Sequence, residues 1–311
     1  MKKIIFAFLI LSALFISADG WQDYFLSKSV NVGFAFLKTY PDAQTQALSG
    51  AGTAGYSTPS SFLMNPASPA FNMNKSVSAS YMHSLNFLNN SFIHINYPLK
   101  YGFVSGGFSF SNSDTLQLRG ETPTEEPLGS FNFSSYSLSA GYSIYVTNGI
   151  YWGINLRSIT EMTYMLTKTS YVMGTGFTFT FPGLKGLSAG FSFTNIGPEY
   201  RYDLYSADII KPPFTVRAGI KQHLNFSDNY SLDIYSDIVK PNDDQYKVIL
   251  ASEFTYNNLF SLSGGYRFND NTRSYSLGAG FNINYFEVRY SFTPYSYSLG
   301  YDNTITLTYK F

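Results

Sequence analysis

The 311-residue sequence contains no cysteine, few charged residues and no long apolar run beyond its N-terminus. The missing cysteine excludes disulfides, thiolate metal ligands, a cysteine nucleophile and a lipid anchor on cysteine. Charged residues make up 13% of the chain, about half the share usual in globular proteins. Twenty Lys and Arg residues balance twenty Asp and Glu residues, so no net field attracts nucleic acid.

Aromatic residues are abundant: 27 Tyr and 29 Phe contribute most of an aromatic share of 19%. A chain that is rich in Tyr and Phe, poor in charge and without a helical span suits a β-barrel with lipid outside and polar groups inside. Composition alone also allows a secreted β-sandwich or propeller. The order of residues along the chain must decide between these classes.

The N-terminus has the features of an export signal. Two lysines precede an apolar stretch over 4–16, which is too short to cross a bilayer. We predict a signal peptide over 1–20, cleaved after Ala18 or Gly20. The alternative is an uncleaved N-terminal anchor.

Residues 21–74 differ from the rest because they are rich in Ala, Gly, Ser and Pro and show little alternation. Small residues allow one backbone to approach another closely. We therefore predict that 21–74 form a compact N-terminal plug, or hatch, rather than a free linker. The residues of the predicted plug motif are Ser49, Gly50, Gly52, Asn65, Pro66 and Ala67.

Over 75–311, apolar residues alternate with small or polar ones at a period of two, which indicates β-strands with two unlike faces. Within one such strand, Tyr136 and Leu138 flank Ser137. We predict an all-β fold, a 14-stranded antiparallel transmembrane β-barrel, since bacterial barrels have even strand numbers. The predicted strands are 76–86, 91–98, 101–112, 131–146, 149–165, 169–181, 187–195, 214–226, 230–240, 246–256, 260–268, 273–282, 286–294 and 302–311.

Connection lengths indicate how the barrel is oriented. The connections after even-numbered strands are short, whereas the two longest, 113–130 and 196–213, follow odd-numbered strands. Short periplasmic turns and long external loops are typical of outer-membrane barrels. We therefore expect the protein in the bacterial cell outer membrane, with both chain ends on the periplasmic side.

The last predicted strand alternates up to its final residue, with Tyr309 and Phe311 on one face. Pairing of this strand with the first one would leave no free sheet edge. The ending also resembles the terminal signal that the barrel-assembly machinery reads. We therefore interpret Tyr309 and Phe311 as a barrel-closing signal, and we expect outer-membrane lipid and that machinery as partners.

One hairpin carries a candidate lumenal site. Alternation places Arg217, Lys221 and His223 on the inner face of its first strand. Asp233 and Asp237 lie on the inner face of its second strand, with Asp233 opposite His223. Diagonal neighbours on paired strands lie about 7–8 Å apart, within reach of long side chains. We interpret the five residues as an ion-pair ladder; the alternative is a polar site that guides a ligand head group.

No pattern in the sequence indicates catalysis. Three histidines are present, and none is accompanied by a recognisable activated nucleophile. No glycine-rich phosphate loop follows a strand and opens a helix. We expect a protein without enzymatic activity, cofactor, metal site or nucleic-acid partner.

A set of short runs follows in a fixed order along the mature chain: Phe36–Lys38, Pro41–Ala43, Ala47–Gly52, Asn65–Ala67, Gly129–Phe131, Tyr136–Tyr142, Phe191–Gly197, Pro212–Phe214, Arg217–Gly219, Glu253–Phe254, Ser263–Arg267 and the closing Tyr290, Gly300 and Phe311. No single run is specific, but the ordered set resembles the PorV/PorQ proteins and the wider FadL-like group of outer-membrane barrels. Ser49 and Ser68 depart from the pattern, because glycine is common at those points in the family.

The resemblance implies a fourteen-stranded barrel with an N-terminal segment folded into or under the lumen. It also implies a role, which is passage of hydrophobic compounds across the outer membrane. One alternative is a non-transporting accessory or anchor barrel of a type IX protein secretion system, and another is a structural surface protein. The corresponding partners are a hydrophobic small molecule or type IX secretion components.

Overall fold

The computed structural model describes residues 31–56, 58–122, 125–164, 166–201 and 209–311, and the predicted signal peptide lies outside these ranges. The described residues form sixteen strands, which are β1 (Ser76–Ser84), β2 (Leu88–Leu99), β3 (Gly102–Ser113), β4 (Leu116–Leu118), β5 (Gly129–Phe131), β6 (Ser134–Thr147), β7 (Ile150–Met162), β8 (Thr167–Thr180), β9 (Leu187–Ile196), β10 (Thr215–Ser227), β11 (Tyr230–Pro241), β12 (Lys247–Tyr256), β13 (Phe260–Phe268), β14 (Tyr275–Ile283), β15 (Phe286–Pro294) and β16 (Tyr301–Lys310).

Fourteen of these strands form one closed antiparallel barrel. Consecutive strands pair throughout, except that β3 pairs with β6 because β4 and β5 form a separate hairpin. Strand β16 pairs with β1, with Ser76 opposite Lys310 and Ser84 opposite Asp302. This pairing leaves the sheet without a free edge. The prediction of a 14-stranded antiparallel barrel is confirmed.

The barrel wall separates two unlike surfaces. Outward side chains are large and exposed, for example Leu138 at 66% and Tyr171 at 69%. Inward side chains on the same sheet are small and buried, among them Ser137 and Ser170. A closed barrel pairs all its main-chain groups internally, as hydrocarbon requires. With this apolar and aromatic exterior, the barrel is built for the bacterial outer membrane, and we place the chain there.

The long loop after β3 contains structure that the sequence does not predict. Strands β4 and β5 form a short hairpin, with Leu116 opposite Phe131. Strand β6 therefore begins at Ser134, whereas alternation predicts a strand from 131. The reason is a main-chain bond across the neck of the loop, where the Ser113 N–H donates to the Phe133 carbonyl at 2.8 Å. The apolar residues change parity at this break, from Phe131 and Phe133 to Tyr136 and Leu138, and the predicted strand runs across that change.

Residues 31–74, which we call the plug, run through the lumen of the barrel. They contain two 3-10 helices and two short α-helices, namely η1 (Ala35–Lys38), α1 (Ala43–Ala47), η2 (Pro59–Leu63) and α2 (Ser68–Asn72). Large plug side chains such as Leu48 and Phe62 are fully buried against the wall. No helix of the described residues is long and apolar enough to cross a membrane.

Asp42 begins α1 and joins two parts of the plug. Its carboxylate accepts hydrogen bonds from the Thr45 N–H at 2.9 Å and the Thr45 hydroxyl at 2.7 Å. The hydroxyls of Thr58, at 3.3 Å, and Ser60 donate to the same carboxylate. A side-chain N-cap stabilises a helix by about 1 kcal/mol. Because Asp42 is fully buried, these donors also replace the water that its charge loses.

The plug runs from one end of the barrel to the other. At the long-loop end, the Asn31 carbonyl accepts a hydrogen bond from the Lys211 N–H at 3.0 Å. At the short-turn end, the Phe311 N–H donates to the Lys75 carbonyl at 3.1 Å. Residue 31 thus lies at the long-loop end, and the predicted periplasmic position of the N-terminal end of the mature chain falls outside the described residues. Loop lengths orient only the strands, and a segment without strands carries no such information.

Candidate functional site

Strands β7 and β8 contact the plug at Asn65 and Pro66. The side-chain amide of Asn65 donates to the carbonyls of Thr53 at 2.7 Å and Phe177 at 3.0 Å. Gly153 faces the Pro66 carbonyl, and a Cβ at this glycine would lie 2.1 Å from that oxygen. Only glycine allows this approach. Asn65 and Pro66 of the predicted plug motif therefore lie in direct contact with the wall.

A second glycine contact lies on β9. A Cβ at Gly190 would lie 2.0 Å from the Thr53 carbonyl oxygen. Ala67 of the plug motif is fully buried, and its N–H donates to the Asn65 side-chain oxygen at 3.1 Å. The small residues on both sides of this interface serve close packing of backbone on backbone.

The other half of the plug motif forms a left-handed stretch whose carbonyl groups meet two wall arginines. Ser49, Gly50 and Gly52 have φ angles of 53°, 85° and 127°. Arg267 donates from Nε to the Ser49 carbonyl at 3.1 Å, and Arg217 donates to the Gly50 carbonyl. Ser49 adopts the left-handed conformation although it lacks the freedom of glycine. All six residues of the predicted motif thus lie at the plug–wall interface.

Asp237 on β11 binds the next residues of this stretch. Its carboxylate accepts from the Gly52 N–H at 3.1 Å, the Thr53 N–H at 2.9 Å and the Thr53 hydroxyl at 2.6 Å. Gly219 lies opposite Asp237, and a Cβ there would lie 2.3 Å from the carboxylate. Glycine at this position leaves the room that the Asp237 side chain occupies.

The remaining three ladder residues form a cluster near the short-turn end. The register places His223 opposite Asp233, as the sequence predicts, and Nδ1 of His223 lies 2.6 Å from the carboxylate. Lys221 Nζ lies 3.0 Å from the same carboxylate. Arg217 and Asp237 bind the plug instead of joining this cluster. The five predicted residues therefore divide into a plug anchor and a separate ion-pair cluster.

A larger ion-pair network links the last strands to the plug. Arg289 lies 2.6 Å from the Glu253 carboxylate and also bonds to Glu287. Lys310 pairs with Glu287 at 2.6 Å. The side-chain amide of Gln44, in the plug, donates to Glu253 at 3.1 Å. These charges lie within the lumen, where pairing offsets the cost of removing them from water.

Sequence reasoning misses Tyr40, a plug residue surrounded by guanidinium groups. Its ring centroid lies 5.5 Å from the guanidinium carbon of Arg267, 5.7 Å from that of Arg217 and 5.8 Å from that of Arg273. Burial alone would raise the pKa of the Tyr40 phenol, but the three guanidinium groups outweigh it and lower the pKa to about 7. Arg217 is far in sequence from Arg267 and Arg273, and all three are far from Tyr40, so no local pattern could reveal the cluster.

A cavity of about 160 Å³, which we call the lumenal cavity, lies between the plug and the wall toward the long-loop end. Its walls carry more positive than negative charge among the described residues. The charged side chains that line it are Lys38, Arg157, Arg217, Lys247, Arg267, Arg273 and Asp244.

The wall beside this cavity is irregular. Met173 pairs with Ile196 and Thr175 with Phe193, so one β8 residue faces two β9 residues in a β-bulge. Asn195, within the bulge, has a φ of 59°. On the outer side lies an apolar groove of about 600 Å³, the lateral groove, whose lining includes Leu138, Leu156, Arg157, Tyr171, Met173 and Ile196.

The predicted barrel-closing residues lie at the seam of the barrel. Tyr309 pairs with Val77 on one side and with Phe286 on the other. The ring of Phe311 stacks on Tyr309 with centroids 5.4 Å apart. Both residues thus contribute to closure in the folded state, and their recognition during assembly stays a prediction.

No protein-family model matches the chain, and no curated protein matches its sequence. Several solved structures match its fold. The crystal structure of the Pseudomonas putida toluene transporter TodX aligns with a TM-score of 0.62 at 9% identity, over 91% of this chain and 99% of that chain. A deltaS2 mutant of the TodX monoaromatic hydrocarbon channel aligns with a TM-score of 0.55 at 10% identity, over 87% and 98%. A Pseudomonas aeruginosa FadL homologue aligns with a TM-score of 0.49 at 11% identity, over 87% and 98%. At such low identity the likeness concerns the fold, and the chain has the fold of the FadL-like outer-membrane barrels.

Proposed function

We propose that this protein lets small hydrophobic compounds cross the outer membrane through a barrel that the plug closes at rest. The structure of TodX, described as a toluene transporter and as a monoaromatic hydrocarbon channel, shares the fold over most of both chains. A shared fold does not imply a shared substrate. The proposal therefore depends on the wall between β8 and β9.

The bulge in that wall is the observation that supports the proposal most directly. On the inner side, Arg157 and Asn195 line the lumenal cavity. On the outer side, Arg157 borders the lateral groove, and Asn195 borders a second apolar groove of about 460 Å³. The same two residues thus separate a polar lumen from an apolar surface that faces lipid. A bulge leaves a residue outside the hydrogen-bond ladder, so the wall can change here at least cost.

In this proposal a compound enters at the long-loop end and leaves sideways into the bilayer at the bulge. The lumenal cavity of about 160 Å³ is close in size to an engineered cavity of about 150 Å³ that holds one benzene. Anything larger requires movement of the plug. The contacts of Arg217, Asp237 and Arg267 with residues 49–53 oppose that movement.

Introduced disulfides would test whether the plug must move. The Ala43 N–H donates to the Thr306 hydroxyl at 2.9 Å, and the Ala70 N–H donates to the Ser143 hydroxyl at 3.1 Å. Since the chain has no cysteine, Ala43→Cys/Thr306→Cys and Ala70→Cys/Ser143→Cys would each give a single thiol pair. We expect oxidation of these variants to abolish uptake of radiolabelled toluene by whole cells, and reduction to restore it.

The matched control links two wall strands and leaves the plug free. Leu262 on β13 lies opposite Ala279 on β14, so Leu262→Cys/Ala279→Cys should transport normally when oxidised. Uptake that continues with the plug cross-linked would show that plug movement is not needed. Uptake by wild-type cells no faster than by cells without the protein would refute transport itself.

A second candidate is an accessory barrel of a type IX secretion system. It is favoured by exposed apolar side chains at the long-loop end, where Leu128 is 68% and Tyr164 is 50% exposed. Such residues suit contact with another protein. In this case affinity-tagged protein should recover secretion components from detergent extracts, and Leu128→Ser/Tyr164→Ser should lose them. Recovery of none by the wild type would argue against this role.

A further inference from the structure

We infer that the lumenal cavity binds a small oxyanion, a phosphate or a carboxylate, between the plug and the barrel wall. This inference is independent of whether the barrel transports hydrophobic compounds. It depends on positive charge that the described part of the chain buries without pairing.

Arg157 is the clearest case. Its side chain lines the cavity and the residue is 7% exposed. Its hydrogen bond to a described residue joins Nη2 to the Ser137 hydroxyl at 3.2 Å, whereas Nε has no partner there. Glu161, on the same face of β7, instead accepts a hydrogen bond from the Phe34 N–H at 3.0 Å. Four residues along a strand span about 13 Å, which puts Glu161 too far from Arg157 for an ion pair.

The other cations of the cavity do not remove this imbalance. Lys247 pairs with Asp244 and Asp270, each at 2.9 Å, and Arg267 shares Asp270 at 3.1 Å. At the cavity's edge, Lys38 pairs with Asp243 at 2.6 Å. The three carboxylates of Asp243, Asp244 and Asp270 thus pair with three cations, which are Lys38, Lys247 and Arg267. Of the four guanidinium groups that line the cavity, that of Arg267 has a carboxylate oxygen within 4 Å. Those of Arg157, Arg217 and Arg273 form no ion pair with a described residue, although Asp237 acts on Arg217 and Asp302 acts on Arg273 from farther away.

The lowered pKa of the Tyr40 phenol is a second indication of positive charge in the cavity. Despite burial, which raises a phenol pKa, the neighbouring arginines hold the pKa of Tyr40 at about 7. Partial ionisation of the Tyr40 phenol leaves the buried Arg157 guanidinium without a carboxylate partner among the described residues. Burial of unpaired charge is costly enough that a compensating anion is the expected solution.

The form of the cavity defines the class of anion. Guanidinium groups bind carboxylates and phosphates through parallel N–H···O bonds, which a spherical halide cannot match. At about 160 Å³, the cavity fits a phosphate or a short dicarboxylate and excludes a long acyl chain. Thr39 and Tyr40 of the plug line it together with wall arginines, so a bound oxyanion would join the plug to the wall.

Thermal unfolding of the purified protein in detergent tests the inference. We would titrate sodium phosphate and sodium succinate at constant ionic strength, with chloride as the reference ion. We expect at least one oxyanion to raise the melting temperature in a saturable manner, and the two titrations tell phosphate from carboxylate. Arg157→Gln should weaken the apparent affinity by about tenfold or more, because it removes a charged hydrogen-bond donor.

Arg119→Gln is the matched control. Arg119 lies on the external hairpin and bonds to Gln117 at 2.9 Å, so its loss should leave anion affinity unchanged. If Arg157→Gln does not fold, Arg273→Gln provides the same comparison at the edge of the cavity. The inference is overturned if neither oxyanion exceeds chloride, or if the cavity variants respond to the oxyanions like the wild type.

Discussion

The two halves of the barrel wall differ in how far they rely on charge to hold the plug. The first half, β1 to β9, presents mainly Ser, Gly, Thr and Asn to the lumen. It contacts the second part of the plug through close backbone approach at Gly153 and Gly190. The second half, β10 to β16, contacts the first part of the plug through charged side chains, which include Arg217, Asp237, Glu253 and Arg267.

This difference separates two effects: the glycine contacts determine where the plug lies, and the charged contacts determine how strongly the wall holds it. Close approach at glycine depends on shape, so it tolerates no added volume but is indifferent to the loss of a charge. An ion-pair network depends on completeness, because removal of one partner leaves the other charge buried and unpaired. Substitutions that remove a charge should therefore destabilise the second half more than the first. Substitutions that add volume at a glycine test the close contacts instead.

We call the first half of the wall, β1 to β9, the neutral half and the second, β10 to β16, the charged half. The largest effect should come from the charged half. Arg289→Met leaves Glu253 and Glu287 without their shared cation, and loss of one partner of a buried pair costs about 3–5 kcal/mol. We expect that decrease in the free energy of unfolding, measured by urea titration in detergent. Ser139→Ala is the counterpart in the neutral half, where the hydroxyl donates to the Gly107 carbonyl at 3.1 Å. It should cost about 1 kcal/mol, and equal losses would abolish the distinction.

Added volume should act at the glycine contacts, and Gly190 tests this in the neutral half. In Gly190→Val the new Cβ would overlap the Thr53 carbonyl, and we expect a cost of about 1–3 kcal/mol as the plug shifts. The yield of the Ala43→Cys/Thr306→Cys disulfide would report that shift. At Gly106 a Cβ would meet Ile95 at an ordinary 3.4 Å, so Gly106→Val should leave the yield unchanged. An unchanged yield in Gly190→Val would show that the plug does not depend on this contact.

The sequence predicts the wall of the barrel far better than its contents. A period of two identifies each strand, and a short hairpin fixes its register, which is why His223 is correctly placed opposite Asp233. The plug sequence shows no regular alternation of apolar and polar residues. Its small residues therefore predict close packing but not the course of the chain through the lumen. Tyr40 lies among arginines from β10, β13 and the loop after β13. Only the closed barrel brings these residues together, and sequence spacing does not encode that proximity.

Ionisation of Tyr40, which lies against arginines of the charged half, makes the stability of the protein depend on pH. Its folded pKa of about 7 lies below the ordinary phenol pKa of 10.0, so the unfolded chain binds more protons and stability rises with pH. Between pH 7 and 8 the gain should be roughly 1 kcal/mol, and it is lost as pH falls through 7. Tyr40→Phe keeps the ring beside Arg217, Arg267 and Arg273 but should remove this dependence. Parallel stability curves for the two proteins would contradict the lowered pKa.

The smallest effect separates charge from burial within the charged half. His223 and Lys221 pair with Asp233, as Arg289 pairs with Glu253, but the His223 side chain is 42% exposed and that of Arg289 is 10% exposed. Exposed ion pairs contribute about 0–1 kcal/mol. We therefore expect His223→Asn to lower the free energy of unfolding by less than about 1 kcal/mol, measured as for Arg289→Met. A loss as large as that of Arg289→Met would mean that charge alone determines the strength of the second half.

Toluene uptake decides the role of the cluster, because a structural ladder leaves uptake unchanged in His223→Asn, whereas a site that guides a ligand loses uptake while stability is preserved.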